Sequence, residues 1–196
     1  MPDEQGPSVY LAGPDGFTPA GLHWHRQVLI PAVRAAGLHP LSPWGAADSP
    51  ADPPGSVGSV DPPGSVGSVD PPGSVDDLFV TLAAMPVGPD RRLRYQDLDY
   101  ETGATNAALI DGSCGVLAIL DGPDVDSGTA AEIGYAAKGG LPVVGLRTDS
   151  RRTGDNEGVT VNLQVEYFIR LSGGAVHTRL ESAIAELAAL VRQQRS

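Results

Sequence analysis

Hydrophobic positions along the chain alternate between short apolar runs and longer segments with helical spacing. The apolar runs predict strands at 8–12, 38–41, 115–120, 141–146 and 175–178. Helical spacing predicts helices at 18–36, 76–84, 93–110, 127–138, 162–171 and 180–191. Pro31 predicts either a kink in the first helix or a late start of that helix. Because strands and helices alternate, we predict an α/β fold: a flavodoxin-like, doubly wound, five-stranded parallel sheet with helices on both faces.

One stretch does not fit this alternation. The block DPPGSVGSV occupies 52–60, recurs at 61–69 and begins a third time at Asp70. A repeat of Pro, Gly and Ser cannot build a packed core. We therefore expect a single domain over 1–196 that carries an insertion at about 46–75, since long loops add little closure entropy. The sequence leaves open whether the insertion is an inert surface loop or a lid over a site.

Charge and composition exclude several classes of function. The chain has 13 Lys and Arg against 24 Asp and Glu, a net charge of −11, so binding of nucleic acid is not expected. A single cysteine, Cys114, cannot form an intrachain disulfide and indicates a reducing compartment. The first residues are acidic, and no apolar stretch is long enough to span a membrane. We expect a cytoplasmic protein without a membrane segment.

Common motifs for cofactors, metals and nucleophiles are missing. The turn 13–16 after the first strand lacks the glycine spacing of a dinucleotide-binding loop and the lysine of a P-loop. The four histidines lack metal-ligand spacing, and His23 and His25 are expected on the surface. No serine lies in a G-x-S-x-G elbow, and Cys114 has no nearby histidine, so no nucleophilic triad is predicted. We expect neither a metal nor a cofactor.

Carboxylates remain as candidate chemistry. Asp126 and Glu132 flank a Ser-Gly-Thr turn after the strand 115–120, beside a further acid, Asp124. Each has a structural interpretation: Asp126 suits a helix N-cap, and the sequence 129–132 matches a capping box closed by Glu132. The pair also suits displacement at an anomeric carbon, in which one carboxylate attacks the sugar and another acid protonates the leaving group. The pattern leaves both interpretations open.

Three segments together resemble the nucleoside 2-deoxyribosyltransferase family. They are YLAGPDGF (10–17), LDGPDVDSGTAAEIGYAAKGGLPVVGLRTD (120–149) and VNLQVEYFI (161–169). The resemblance spans the chain except for the repeats. It implies a flavodoxin-like fold and an enzyme that exchanges the base of a 2′-deoxynucleoside through a covalent deoxyribosyl-enzyme, with retention and without a cofactor. The implied partners are 2′-deoxynucleosides and free nucleobases.

The resemblance also implies roles for individual residues. Glu132 resembles the nucleophile, Asp126 the acid that moves the proton of the base, and Tyr10 the aromatic residue that positions the nucleophile. Asn106 resembles a residue near the sugar or base, and Asn162 an asparagine that reaches into a neighbouring subunit's site, which implies a dimer or hexamer. Further implied substrate contacts are Gly13, Asp15, Phe17, Trp44, Asp124, Ser127 and Gly128. Trp44 either stacks on a base or packs its own loop.

Two other functions compete with base exchange. The first is hydrolysis of the N-glycosidic bond of a nucleoside or its 5′-monophosphate, with water replacing the second base. Related monophosphate hydrolases carry Ser and Arg near the first strand, which YLAGPDGF lacks. The phosphoribohydrolases that activate cytokinins share the GT-x-x-E element but precede it with PGG, where this chain has DVDS at 124–127. The second is a non-catalytic nucleoside-binding protein, which would keep the fold without the pair Asp126 and Glu132.

Overall fold

A computed structural model of the chain describes residues 6–44 and 81–194. The repeats and the predicted insertion at about 46–75 lie outside these ranges, as do residues 76–80 of the second predicted helix. The chain divides into two compact units, one of Met1–Ala47 with Gly103–Ser196 and one of Asp48–Thr102. Because most of the smaller unit falls outside the described residues, a single domain over 1–196 stays a prediction.

The larger unit is built on a parallel sheet of five strands. The strands are β1 (Ser8–Ala12), β2 (His39–Leu41), β3 (Val116–Ile119), β4 (Val143–Leu146) and β5 (Val176–His177). Their order is β2-β1-β3-β4-β5, and every pair is parallel. This is the flavodoxin-like order, so the predicted fold class is confirmed. β3 and β4 are buried along their whole length, as expected for central parallel strands.

Helices cover both faces of this sheet. The helices with described bounds are α1 (Pro19–Trp24), α2 (Ile30–Ala35), α3 (Pro89–Asp111), α4 (Ser127–Lys138), α5 (Leu163–Leu171) and α6 (Leu180–Gln194). Only the part of α3 from Gly103 onward belongs to the larger unit. On one face, Val33 of α2 and Leu187 of α6 join a core with Leu117. On the other, Ile133 of α4 and Ile169 of α5 join a core with residues of β1, β3 and β4. In the part of the chain that the structure describes, no helix is long and apolar enough to cross a membrane.

The first predicted helix is interrupted at the position that Pro31 indicates. Between α1 and α2 the backbone forms one π-helical turn, His25–Leu29, in which the amide of Ile30 donates to the carbonyl of His25. Pro31 has no amide hydrogen and cannot continue the regular helical hydrogen bonds, so a wider turn precedes it. Gly37, with φ of +76°, ends the segment, because this left-handed conformation favours glycine.

The smaller unit is described at residues 81–102. Residues 81–84 are helical, and α3 begins at Pro89 rather than at the predicted 93. Proline suits the first turn of a helix because its fixed φ is already helical and its missing amide hydrogen is not needed there. Arg91 donates to the carbonyl of Met85 at 3.2 Å, and its guanidinium lies 5.5 Å from the centre of the Tyr95 ring.

The packing of α6 on the sheet gives a stability prediction. Leu187 is 0% exposed, so Leu187→Ala leaves a cavity and should lower the free energy of unfolding by about 2–5 kcal/mol. Leu93→Ala is the matched control, because Leu93 is 58% exposed and its loss should change stability by about 0.5 kcal/mol or less. Urea denaturation measures both, and equal losses would contradict this packing.

Candidate active site

Three loops meet at the carboxyl edge of the sheet. They follow the adjacent strands β2, β1 and β3. The loop after β2 contains residues 42–44, the loop after β1 contains residues 13–17, and the loop after β3 contains residues 120–126. Gly13 lies directly against the end of β3, since a Cβ placed on it would be 2.9 Å from Cβ of Ile119. Open α/β sheets bind ligands in the crevice outside this edge. The predicted site residues Tyr10, Asp15, Trp44 and Asp126 therefore lie on elements that converge at one edge.

Tyr10 and Glu132 form a direct hydrogen bond between strand and helix. Tyr10 is 0% exposed within β1, and Glu132 lies in the second turn of α4. The Tyr10 hydroxyl donates to Oε1 of Glu132 at 2.7 Å, and Nδ2 of Asn106 lies 3.5 Å from the same oxygen. Hydrogen bonds to an ionised carboxylate are short and strong, so they fix its orientation. The structure thus brings together three residues that the sequence analysis selected.

Burial shapes the protonation of this pair. Burial raises the pKa of Glu132, the hydrogen bond from Tyr10 lowers it, and the nearby charge of Asp126 raises it again, with a net upward shift. The pKa of Tyr10 is also raised strongly, first by burial and then by the charge and hydrogen bond of Glu132. Tyr10 therefore stays protonated at ordinary pH and acts as a hydrogen-bond donor. Glu132 is a more basic carboxylate than an exposed glutamate.

Asp126 begins the helix that carries Glu132. It is the N-cap of α4, and its Oδ2 accepts from the amide of Thr129 at 2.9 Å and from the Thr129 hydroxyl at 3.2 Å. The N-cap interpretation of Asp126 is confirmed. The capping box at 129–132 is wrong, because the helix begins three residues earlier than that box requires, and Glu132 accepts from Tyr10 and Asn106 instead. The two carboxylates therefore have different environments.

A buried arginine fastens the loop that leads to Asp126. Arg147 is 1% exposed and donates to the carbonyls of Leu120, Gly122 and Arg151. Asp121 adds a second connection by accepting from the amides of Thr148, at 2.6 Å, and Asp149, at 2.8 Å. The loop after β3 is thereby tied to the loop after β4. Arg147 was not among the residues selected from the sequence. The available signal was a cation directly after an apolar strand.

Asp15, His25 and Ser42 form a hydrogen-bonded series. Nδ1 of His25 lies 3.2 Å from Oδ2 of Asp15, and Nε2 lies 2.9 Å from Oγ of Ser42. His23 is exposed, but His25 is 1% exposed, so the surface prediction for His25 was wrong. The π-helical turn that begins at His25 changes which residues face inward. The sequence did not indicate this Ser–His–acid contact, because residues 15, 25 and 42 meet only through folding.

Trp44 packs against the loop that follows β1. Its Nε1 donates to the carbonyl of Gly13 at 3.2 Å, and its ring meets Phe17 edge to face with centroids 4.8 Å apart. A Cβ on Gly16 would lie 2.0 Å from Cδ2 of the indole, so the ring occupies space that only glycine leaves. Phe17 itself is 71% exposed. The two aromatic rings form a wall at the carboxyl edge of the sheet.

The remaining predicted site residues lie at or just before the start of α4, or at the start of α5. Asp124 is exposed and accepts from the amide of Val125 at 2.8 Å, while Ser127 and Gly128 open α4 and are exposed. Asn162 caps α5, with its Oδ1 accepting from the amide of Gln164 at 3.0 Å. In the described contacts Asn162 therefore joins its own helix, and a role in another subunit stays a prediction.

The hydrogen bond between Tyr10 and Glu132 makes a testable prediction about ionisation. Because this bond lowers the pKa of Glu132, Tyr10→Phe should raise that pKa further, and Glu132 should then bind its proton at a higher pH. Carbon-13 NMR titration of the Glu132 carboxyl measures the shift. Tyr135→Phe is the control, because the Tyr135 hydroxyl donates to Asp111 instead. An unchanged or lower pKa in Tyr10→Phe would contradict the assigned bond.

Solved structures of other proteins share this fold. One solved structure is a conserved protein from Enterococcus faecalis V583, 22% identical, with a TM-score of 0.53 and coverage of 96% of this chain and 99% of that one. Another is a 2-desoxiribosyltransferase from Leishmania mexicana, 20% identical, with a TM-score of 0.55 and coverage of 93% and 97%. At these identities the two structures support the fold alone.

Sequence comparison identifies the family. An uncharacterized protein of Schizosaccharomyces pombe is 28% identical in an alignment that covers 56% of this chain and 70% of the relative. The sequence profile of the family described as Nucleoside 2-deoxyribosyltransferase matches residues 9–164, a range that includes Tyr10, Asn106, Asp126, Glu132 and Asn162. The chain therefore belongs to the nucleoside 2-deoxyribosyltransferase family.

Proposed function

We propose that the protein exchanges the base of a 2′-deoxynucleoside through a covalent deoxyribosyl-Glu132 intermediate, with retention at C1′. The observation that carries this proposal is the Glu132 carboxylate, held by the Tyr10 hydroxyl at 2.7 Å and approached by Asn106 at 3.5 Å. A glutamate that only capped the N-terminus of a helix would need neither a hydrogen bond from a buried tyrosine nor an asparagine from another helix. Membership of the family supports the same assignment.

The first half of the reaction forms the intermediate. Because Oε1 of Glu132 accepts from Tyr10, we assign the attack on C1′ to the other oxygen, Oε2. The C1′–N bond breaks as the C1′–O bond forms, and the bonding electrons leave with the base. We assign Asp126 the role of the acid that gives a proton to the departing base. Both hydrogen bonds from Thr129 go to Oδ2 of Asp126, so we assign the proton transfer to Oδ1.

The second half reverses these steps with a different base. The new base attacks C1′ from the side that the first base left, the ester bond to Glu132 breaks, and Asp126 takes up the proton that the incoming base loses. Two inversions give net retention. Positive charge develops on the sugar in the oxocarbenium-like transition state, and the Glu132 carboxylate stabilises it. The raised pKa of Glu132 suits this role, since a more basic carboxylate is a better nucleophile.

Incubation with deoxyinosine and adenine tests the proposed reaction. The wild-type protein should form deoxyadenosine and hypoxanthine, and Glu132→Gln should slow exchange by more than about 10³-fold while the fold is retained. Glu181→Gln is the matched control, because Glu181 lies exposed in the first turn of α6. Release of hypoxanthine and free deoxyribose without deoxyadenosine would show that the protein hydrolyses the nucleoside rather than exchanging its base. Substantial exchange by Glu132→Gln would show that Glu132 is not the nucleophile.

We further propose that the protein acts as a homo-oligomer in which Asn162 contributes to a neighbouring subunit's site. Leu163, Tyr167 and Leu171 recur every four residues along α5, immediately after Asn162, and are 50%, 54% and 58% exposed. Residues four apart share one helix face. A stripe of exposed apolar side chains of this kind is typical of a surface that another protein covers. A second copy on this stripe would bring its own site close to Asn162.

Mixing two inactive variants tests this arrangement. We expect Glu132→Gln and Asn162→Ala each to lose exchange as pure proteins. If the subunits form dimers with shared sites, random mixing should restore about a quarter of wild-type activity, because half of the dimers are mixed and each has one intact site. Mixing Glu132→Gln with the double variant is the control and should restore nothing. Absence of recovery after verified subunit exchange would assign Asn162 to its own subunit.

A further inference from the structure

A buried hydrogen-bonded series takes no part in the chemistry proposed for Glu132. His25 is 1% exposed, with Asp15 at 3.2 Å from Nδ1 and Ser42 at 2.9 Å from Nε2. Burying polar groups costs free energy unless each finds a partner. The three residues come from the loop after β1, the π-helical turn and the loop after β2, so the series joins three separate segments at one edge of the sheet.

The series ends at the backbone of Trp44. Oγ of Ser42 accepts from the Trp44 amide at 3.1 Å. If His25 donates from Nδ1 to the Asp15 carboxylate, its Nε2 accepts the Ser42 hydroxyl proton, and the Ser42 oxygen remains to accept from Trp44. Every group then has one defined donor or acceptor role. This assignment fixes the tautomer of His25 from its partners.

Trp44 is held a second time, through its ring. The indole donates to the carbonyl of Gly13, fills the space above Gly16 and meets the ring of Phe17, which is 71% exposed. The backbone of Trp44 is thus fixed from one side and its side chain from the other. Aromatic rings held at a ligand-binding edge offer stacking surface to a nucleobase.

We propose that His25 is a positioning residue for base recognition: through Ser42 it fixes Trp44 beside Phe17, and the two rings form a preset wall that receives the nucleobase. This inference rests on the proposed function, because the base is the ligand of the wall. It adds a residue that contacts no substrate and acts through its neighbours. Ser42 is a support in this arrangement rather than a nucleophile, because its oxygen is already engaged by His25 and by the Trp44 amide.

Fluorescence of Trp44 tests the support without any substrate. The chain has two tryptophans, so Trp24→Phe leaves Trp44 as the only reporter. In that background, His25→Asn keeps an amide near Asp15 but cannot reach Ser42, and it should shift Trp44 emission to longer wavelength and increase quenching by acrylamide. His25→Gln places its amide near Ser42 and should restore part of the wild-type signal. His23→Ala is the matched control, since His23 is exposed two residues earlier.

Steady-state kinetics test the role in recognition. His25→Asn should raise the KM for adenine about three- to tenfold, the loss expected from one hydrogen bond, while turnover at saturating adenine falls by less than about twofold. Gly16→Ala should also raise the KM for adenine, because the new methyl group would displace the Trp44 indole while leaving His25 and Ser42 in place. Direct quenching of Trp44 by adenine, hypoxanthine or cytosine measures base binding independently of exchange.

The outcomes separate this inference from the proposed function. If the wild-type protein shows no exchange, the proposed function fails, and Trp44 emission still decides the role of His25. Unchanged emission and quenching in His25→Asn would overturn the inference even in an active enzyme. A loss of turnover with unchanged KM would also overturn it, as would covalent labelling of Ser42 by an organophosphonate, which would identify Ser42 as a nucleophile.

Discussion

The hydrogen bond from Tyr10 to Glu132 connects the fold to the chemistry that we propose. Tyr10 is part of β1, and Glu132 is part of α4, which packs on the same face of the sheet. The 2.7 Å contact forms only when strand and helix are packed in this register. The bond partly offsets the free-energy cost of burying the Glu132 carboxylate. Burial itself raises the pKa of Glu132. The carboxylate is therefore both oriented and made more basic by the folded core.

Other buried polar groups fix the surroundings of this carboxylate. Arg147 ties the loop before Asp126 to the loop after β4, and His25 ties the loops after β1 and β2 to each other. Loops carry function in α/β folds because the sheet beneath them is rigid. Here, two side chains that contact no predicted substrate hold those loops in place. Preset geometry of this kind lowers the reorganisation needed when a ligand binds.

The sequence predicted the sheet more completely than the site. Apolar runs located all five strands, because a parallel strand buried on both faces is apolar at nearly every position. The pattern also selected Glu132 and Asp126, although it assigned the capping box to the wrong residues. It could not find His25, whose burial depends on a π-helical turn and on partners 10 and 17 residues away. Pairings made only by folding leave no local signal.

The proposed function makes one central claim, that Glu132 forms a covalent bond with the sugar. The most direct test is to mix the protein with deoxyinosine in the absence of a second base, stop the reaction with acid and locate the adduct by mass spectrometry. We expect one deoxyribosyl group on the peptide that contains Glu132. Adenine added before the acid should remove this group, and Glu132→Gln should not carry it. Release of hypoxanthine with no adduct, or an adduct on another residue, would contradict it.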